Sequence, residues 1–270
     1  DRPGIVASDR GNGWNTAAGA ARRTILCPKR GYTFATGIRP FFGNLSGSVK
    51  GLSRGGEGTL LSLHGHLRIP SEATLWEFYS RFKMWDKVEL RFDYTPWSWA
   101  STGHVATDGN FAGLILTKDE AITTNLNVTT FKVGADYDVS FSRDLIFGPN
   151  ADLHVMKWAQ RISTDAGGAA DLVLTILEPS IGAHLRYEPA NTGYFSWFKP
   201  FMEARFGWMS LGGLGLSTWD MCAGIAPPVS RNVDAGLRVG YKQLKLDGQR
   251  DRLFADVAVE GLYLDLSLRF

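Results

Sequence analysis

An all-β fold is what this sequence predicts: a closed antiparallel up-and-down barrel crossing a membrane, with about ten strands, eight and twelve being the neighbouring solutions. Three observations predict it. Apolar and polar residues alternate with a period of two through most of the chain after Arg39, as side chains do on the two faces of a strand. Most of these stretches run past about ten residues, whereas soluble strands average about five or six and tilted membrane strands need about nine to eleven. The chain also ends on one, with Leu262, Leu264, Leu266, Leu268 and Phe270 on one face and Tyr263, Asp265, Ser267 and Arg269 on the other.

Composition agrees with this reading and excludes others. The 270 residues include 31 glycines and many aromatics, but no apolar run of about 18 residues that could form a membrane helix. A barrel whose strands are half polar averages to near-neutral hydropathy, so that index does not argue against a membrane. The net charge of +2 comes without a basic block, and nucleic acid is not an expected partner. Two cysteines make no disulfide framework, and neither lies in a C-x-x-C pair. No cofactor and no metal site is expected.

Residues 1–31 are rich in Gly, Ala, Arg and Asn without a sustained period and are expected to form an irregular arm: periplasmic, plugging the lumen or binding a partner. Residues 32–270 then form the barrel. The first strand sets Phe41, Leu45 and Val49 against Asn44, Ser46, Ser48 and Lys50. A segment to about residue 73, with Leu61, Leu63, Leu67 and Ile69 alternating with polar residues, fits either a strand above the membrane or a loop. The clearest hairpin follows: Trp76, Phe78, Phe82 and Met84 oppose Glu77, Tyr79, Arg81 and Lys83, and after a turn at Trp85 and Asp86, Val88, Leu90, Phe92 and Tyr94 oppose Lys87, Glu89, Arg91 and Asp93.

A long connection over 99–127 precedes Phe131, Val133, Ala135, Tyr137, Val139 and Phe141, which alternate with Lys132, Gly134, Asp136, Asp138 and Ser140. In the fifth strand Leu153 and Val155 oppose Asp152 and His154, and Lys157 and Arg161 mark where it leaves the membrane. The sixth sets Val173, Leu177, Ile181 and Leu185 against Glu178, Ser180, His184 and Arg186; the seventh, Met202, Ala204, Phe206 and Trp208 against Glu203 and Arg205. The eighth carries Trp219, Met221 and Ala223 opposite Asp220 and Cys222. The ninth carries Val233, Leu237, Val239 and Tyr241 opposite Asp234, Arg238 and Lys242. In the tenth the phase slips: Leu253, Ala255, Val257 and Val259 are apolar at odd positions, and Leu262 onward at even ones. One inserted residue exchanges the faces of a strand, so a bulge near Glu260 and Gly261 is expected.

Strand direction places aromatic belts at two interfaces. Trp76, Tyr94, Phe131, Trp208, Trp219 and Tyr241 belong to the outer one, and Phe141, Tyr187, Phe198 and Phe270 to the inner. The opposite faces supply a lumen lined by Glu77, Arg81, Glu89, Arg91, Asp93, Lys132, Asp136, Asp138, Glu178, His184, Arg186, Glu203, Arg205, Asp234, Arg238, Asp265 and Arg269. Buried charges must be paired or hydrated. The lumen is therefore either a salt-bridged brace or a narrow wet pore for small solutes.

The final strand and its terminal Phe270 resemble the closing strand of Gram-negative outer-membrane β-barrels, a family in which a last Phe or Trp serves as the assembly signal. The resemblance implies a place in the bacterial outer membrane, a signal peptide already removed so that Asp1 is a mature or trimmed N-terminus, and surroundings of outer-membrane lipid and lipopolysaccharide. A protein partner, or a second copy of the chain, is a further expectation for the outer loops or the arm.

Catalysis has weak candidates, and the chain is read as a non-enzyme with a lipid- or peptide-modifying enzyme as the alternative. Ser180 and His184 share a face but lie about 13 Å apart at about 3.4 Å per residue, beyond hydrogen-bond reach, which leaves only a cross-strand partner. His64 and His66 would share a face, two ligands where a closed metal site wants three or four. His104, Asp108, Asp119 and Glu120 resemble the acidic and histidine content of ten-stranded outer-membrane proteases without matching a motif. Cys27 and Cys222 could bond if the arm enters the lumen.

Overall fold

The structure, a computed structural model, describes residues 33–53, 55–189 and 197–270; the arm of 1–31 and Cys27 lie outside them. The described strands are β1 (Phe34–Gly51), β2 (Leu61–Ser62), β3 (Glu72–Trp85), β4 (Val88–His104), β5 (Gly109–Phe111), β6 (Leu114–Leu116), β7 (Ala121–Tyr137), β8 (Val139–Ser140), β9 (Leu145–Thr164), β10 (Ala169–Tyr187), β11 (Phe201–Leu211), β12 (Leu214–Ile225), β13 (Pro228–Ser230), β14 (Val233–Arg250) and β15 (Leu253–Arg269). Ten of them form the wall, in the order β1, β3, β4, β7, β9, β10, β11, β12, β14, β15, each antiparallel to the next. β15 pairs back onto β1 from Leu253 opposite Gly51 to Arg269 opposite Ala35, which closes the ring and leaves no open edge. β2, β8 and β13 are short additions to the wall, and β5 pairs only with β6.

The long connections, 52–71 and 105–120, lie at the end of the barrel opposite Phe34 and Phe270, the disposition of outer loops in a membrane barrel. The other connections at that end are tight, 165–168, 212–213 and 251–252.

The bulge expected near Gly261 is absent. β15 keeps one register on both sides: Leu262 faces Tyr241, Gly261 faces Lys242 and Glu260 faces Gln243 on β14, while Gly261 faces Gly43 on β1. Odd-numbered residues point inward along its whole length, from Leu253 through Val259 to Asp265 and Arg269. The strand does not change face; its surroundings change. Below about Gly261 the outside is apolar and the inside charged, and above it the inside is apolar and the outside polar.

Every wall strand makes the same exchange. β1 turns Ile38 and Phe42 outward low down and Asn44, Ser46 and Ser48 outward higher up. Its Phe41, Leu45 and Val49, grouped as the first strand's apolar face, are all buried inside. β4 passes from Phe92 and Tyr94 outward to Trp97 and Trp99 inward, and β9 from Leu153 outward to Trp158 and Ile162 inward. A 17-residue strand such as β15 is about 58 Å long and, tilted by about 40°, spans about 44 Å of the axis, against an apolar band about 25 Å tall. The outer part of the wall therefore stands clear of the hydrocarbon. There it is organised as a water-soluble barrel, with Leu45, Trp97, Leu126, Trp158, Leu172, Leu246 and Val257 in one continuous core.

This corrects the long connection expected over 99–127: β4 continues to His104 and β7 begins at Ala121, because Trp99 and Leu126 are inward wall residues. It also settles the segment before residue 73. β3 starts only at Glu72, so β1 and β4 stand apart above it, and residues 61–71 fill the gap. β2 pairs with β1 at Leu61 and Ser62, Leu45 N–H donates to Ser71 O at 2.6 Å, and Ser101 Oγ donates to Leu67 O at 3.0 Å. Leu61, Leu63, Leu67 and Ile69 are buried in the outer core. The β5–β6 hairpin adds Phe111 and Leu116 to that core and joins β1 through Ala112 N–H to Gly51 O at 2.9 Å.

The charged interior as candidate functional site

Inward positions of the membrane-spanning part bring the lumen charges together, because period-two alternation from every strand must deliver them to one narrow space. Arg39 is the hub on one side. Its guanidinium meets Glu77 at 2.6 Å, Asp265 at 3.1 Å and Asp220 at 3.4 Å, and it stacks on Tyr79 and Tyr263 at 5.0 and 4.5 Å. Asp265 also accepts from Arg238 and from the Tyr79 hydroxyl, each at 2.8 Å. Tyr263 donates to Asp220 at 2.5 Å, and Lys242 pairs with Glu77.

A second hub surrounds Glu203, which takes Arg205 at 2.5 Å and Arg81 at 3.1 Å. Arg205 continues to Asp136 at 2.8 Å, and Arg91 bridges Asp136 and Asp152, both at 2.8 Å. Lys132 pairs with Asp93 at 2.5 Å and His184 with Asp138 at 2.9 Å. β3 and β11 lie on opposite sides of the ring, so the Arg81–Glu203 pair crosses the lumen. The inner end carries Arg186 with Glu188, Asp234 with Lys199 at 2.6 Å, and Arg269 over Phe201 at 4.4 Å. Glu178 sits higher, with Arg250 at 2.6 Å. Sequence reasoning missed Arg39, whose flanking Ile38 and Pro40 are outward and apolar, and left out Asp152, Asp220 and Lys242. Their alternation with apolar neighbours was the available signal.

Within this layer, on the side of the apolar core, a cavity of about 40 Å³ is lined by Arg39, Arg91, Lys132, His154, Asp220 and Trp97 among others. It has room for about three waters, at roughly 10–15 Å³ each. Over it lies the apolar outer core. The lumen is thus closed twice, by cross-lumen ion pairs and then by packed side chains.

The packing depends on glycines facing aromatic rings. Gly240 stands opposite Tyr263, and a β-carbon there would come within 2.4 Å of the ring and 2.6 Å of Met221 O. Gly240→Ala is expected to destabilise the barrel by about 1–3 kcal/mol, the usual cost of overpacking, because the ring that it displaces also orders Arg39 and Asp220. Urea unfolding in lipid vesicles measures this, and an unchanged midpoint would show that Tyr263 can move freely.

The aromatic residues expected at the interfaces are exposed on the outer surface: Trp76, Tyr94, Phe131, Trp208, Trp219 and Tyr241 towards the outer side, Phe141, Tyr187 and Phe270 towards the inner. Phe198 is half-buried and stacks on the exposed Trp197 at 3.7 Å. The remaining candidates have structural surroundings. Ser180 does find a cross-strand partner, His154, at 3.3 Å, but the pair is buried and His154 Nδ1 meets no carboxylate, so nothing orients the ring as a base. Asp108 accepts from Lys118 N–H at 2.7 Å and Glu120 from Thr117 N–H at 3.2 Å, both shaping turns. Arg68 donates to His104 O. Among the described residues no three His, Cys, Asp or Glu side chains gather as metal ligands. Cys222 faces the lumen and is bonded to no cysteine among the described residues, and the expected bond to Cys27 lies outside them.

Strand order, the closing β1–β15 pair, the two-sided wall and its outward aromatic residues define the class by architecture: a closed antiparallel up-and-down β-barrel with an apolar outer band, as a membrane-spanning barrel has. No protein-family model matches the sequence, and no curated protein does. Among solved structures, the chain is similar to the outer membrane protease OmpT of Escherichia coli, with a TM-score of 0.43 and 8% identity over 88% of this chain and 96% of that one. It is similar also to the transport unit of the autotransporter AIDA-I of Escherichia coli, at 0.39 and 10% over 90% and 91%. Ail, the attachment invasion locus protein of Yersinia pestis, in complex with the heparin analogue sucrose octasulfate, matches at 0.35 and 10% over 88% and 99%.

Proposed function

We propose that the protein is a non-conducting, non-catalytic scaffold of the bacterial outer membrane that acts through its outer end, holding the 52–71 segment and the β5–β6 hairpin rigidly above the lipid for a protein partner or a second copy of the chain. The observation that carries this reading is the doubly closed interior: ion pairs such as Arg81–Glu203 span the lumen, and the outer part is filled by Trp97, Leu126, Trp158 and their neighbours. A conducting path needs a continuous polar route, and the apolar core interrupts it. Leu60 and Ile115, 51% and 73% exposed on these two outer segments, offer apolar contact for a partner.

Purified protein reconstituted into planar bilayers is expected to give no reproducible conductance steps. Discrete steps that scale with salt concentration would instead support the narrow pore. Proteolytic activity on peptides, lost in Ser180→Ala, would support the enzyme.

A further inference from the structure

The outer segment that fills the wall between β1 and β4 contains two histidines whose hydrogen bonds demand opposite protonation states. His64 places Nδ1 2.6 Å from Ile69 O and Nε2 2.5 Å from Leu45 O. Carbonyl oxygens only accept, so both ring nitrogens must donate, which only the imidazolium can do. His66, two residues on, does the reverse: its Nδ1 accepts the Ser62 N–H at 3.0 Å, which requires that nitrogen to be bare. One ring ties the segment to the barrel wall through β1, and the other closes the turn on which Leu63 and Leu67 enter the core.

We infer that residues 61–71 form a pH-windowed latch on the outer half of the barrel, fully bonded only while His64 is charged and His66 neutral. A neutral His64 ring has one N–H and keeps one of its two carbonyls at most, so the tie between segment and wall is weaker in that state. A His66 ring protonated at Nδ1 cannot accept the Ser62 N–H, so the turn is weaker in that state. The surrounding elements do not override this. The flanking elements carry Lys50 on β1, Glu72 at the head of β3, His104 at the end of β4, Asp108 beside β5 and Asp256 on β15, which faces Ser48 on β1, with Arg68 in the segment itself. None forms an ion pair with either ring among the described residues. Opening the latch exposes Leu61, Leu63, Leu67 and Ile69, all at most 1% exposed, and uncovers the apolar core from the side.

The test uses the full chain in nanodiscs, labelled with nitrogen-15 at histidine and followed from about pH 5 to 8, the range in which histidines titrate. Among the signals of the five histidines, the mid-range spectrum is expected to include an imidazolium signal that disappears in His64→Gln and a signal of a neutral ring protonated at Nε2 that disappears in His66→Asn. Amide exchange at Leu63, Leu67 and Ile69, corrected for its intrinsic pH dependence, is expected to be slowest there and about tenfold faster at either end, the loss of one hydrogen bond. His64→Gln keeps a donor in place of Nε2 and should flatten only the alkaline limb. His66→Asn keeps an acceptor in place of Nδ1 and should flatten only the acid limb. A neutral His64 while these amides are protected, or a flat exchange profile in the unaltered protein, overturns the inference.

Discussion

Arg205→Met should lower the stability of the folded barrel by about 3–5 kcal/mol, the cost of breaking a buried ion pair from one side. Arg205 is 9% exposed and lies between Glu203 at 2.5 Å, Asp136 at 2.8 Å and Glu89 at 3.8 Å. Methionine fills much of the volume but leaves three carboxylates sharing Arg81, Arg91 and Arg238. The penalty comes from stranded negative charge and not from lost packing, so it should be largely recovered when Glu203→Gln is added. A double-mutant cycle on urea midpoints in lipid vesicles separates the two. If Arg205→Met moves the midpoint by less than about 1 kcal/mol, the interior is hydrated enough to solvate carboxylates, and the closed-lumen reading falls with it.

The exchange of surroundings along one strand makes the second large prediction. Leu264→Arg and Ala258→Arg alter the same strand on the same outward face, six residues apart. Leu264 faces hydrocarbon near the middle of the band, where an arginine costs about 2–4 kcal/mol; Ala258 stands above the outer ring beside the polar Asp256 and Glu260 and should tolerate it within about 0.5 kcal/mol. Val257→Arg, one residue away but inward, puts an unpaired charge into the apolar core and should prevent the outer half from folding. Equal costs at 264 and 258 would mean that lipid reaches the whole length of β15, and the outer half could not be a wet-surfaced barrel.

Half of each strand was legible from its residues alone. Where a strand crosses lipid, charges such as Glu77, Arg81, Glu89 and Arg91 can only point inward, and their alternation with Phe78, Phe82, Leu90 and Phe92 names both faces. The outer half resisted because period-two patterning is symmetric: Leu45 and Val49 alternate with Ser46 and Ser48 equally well whether the apolar side meets lipid or a core. The slip at Glu260 and Gly261 was visible, but a shifted register and a changed environment leave the same trace, and only the unbroken pairing of β15 with β1 and β14 separates them. Arg39 escaped for a related reason, being one inward charge among the small or apolar Gly37, Phe41 and Gly43. The roles of His64 and His66 needed carbonyl positions that no side-chain pattern encodes.

Assembly has to deliver this outer half across the bilayer before it reaches water, and its exterior is the part least suited to the passage. Desolvating Lys157, Arg161, Lys245, Asp247 and Asp256 on the way is expensive, whereas the matching face of β4 and β7 carries Ser98, Ala100, Thr102, Thr123, Asn125, Asn127 and Thr129, with His104 its one ionisable group at the tip of β4. On this ground those two neighbouring strands are the side of the wall whose passage desolvates least charge, and β9, β14 and β15 the sides whose passage desolvates most.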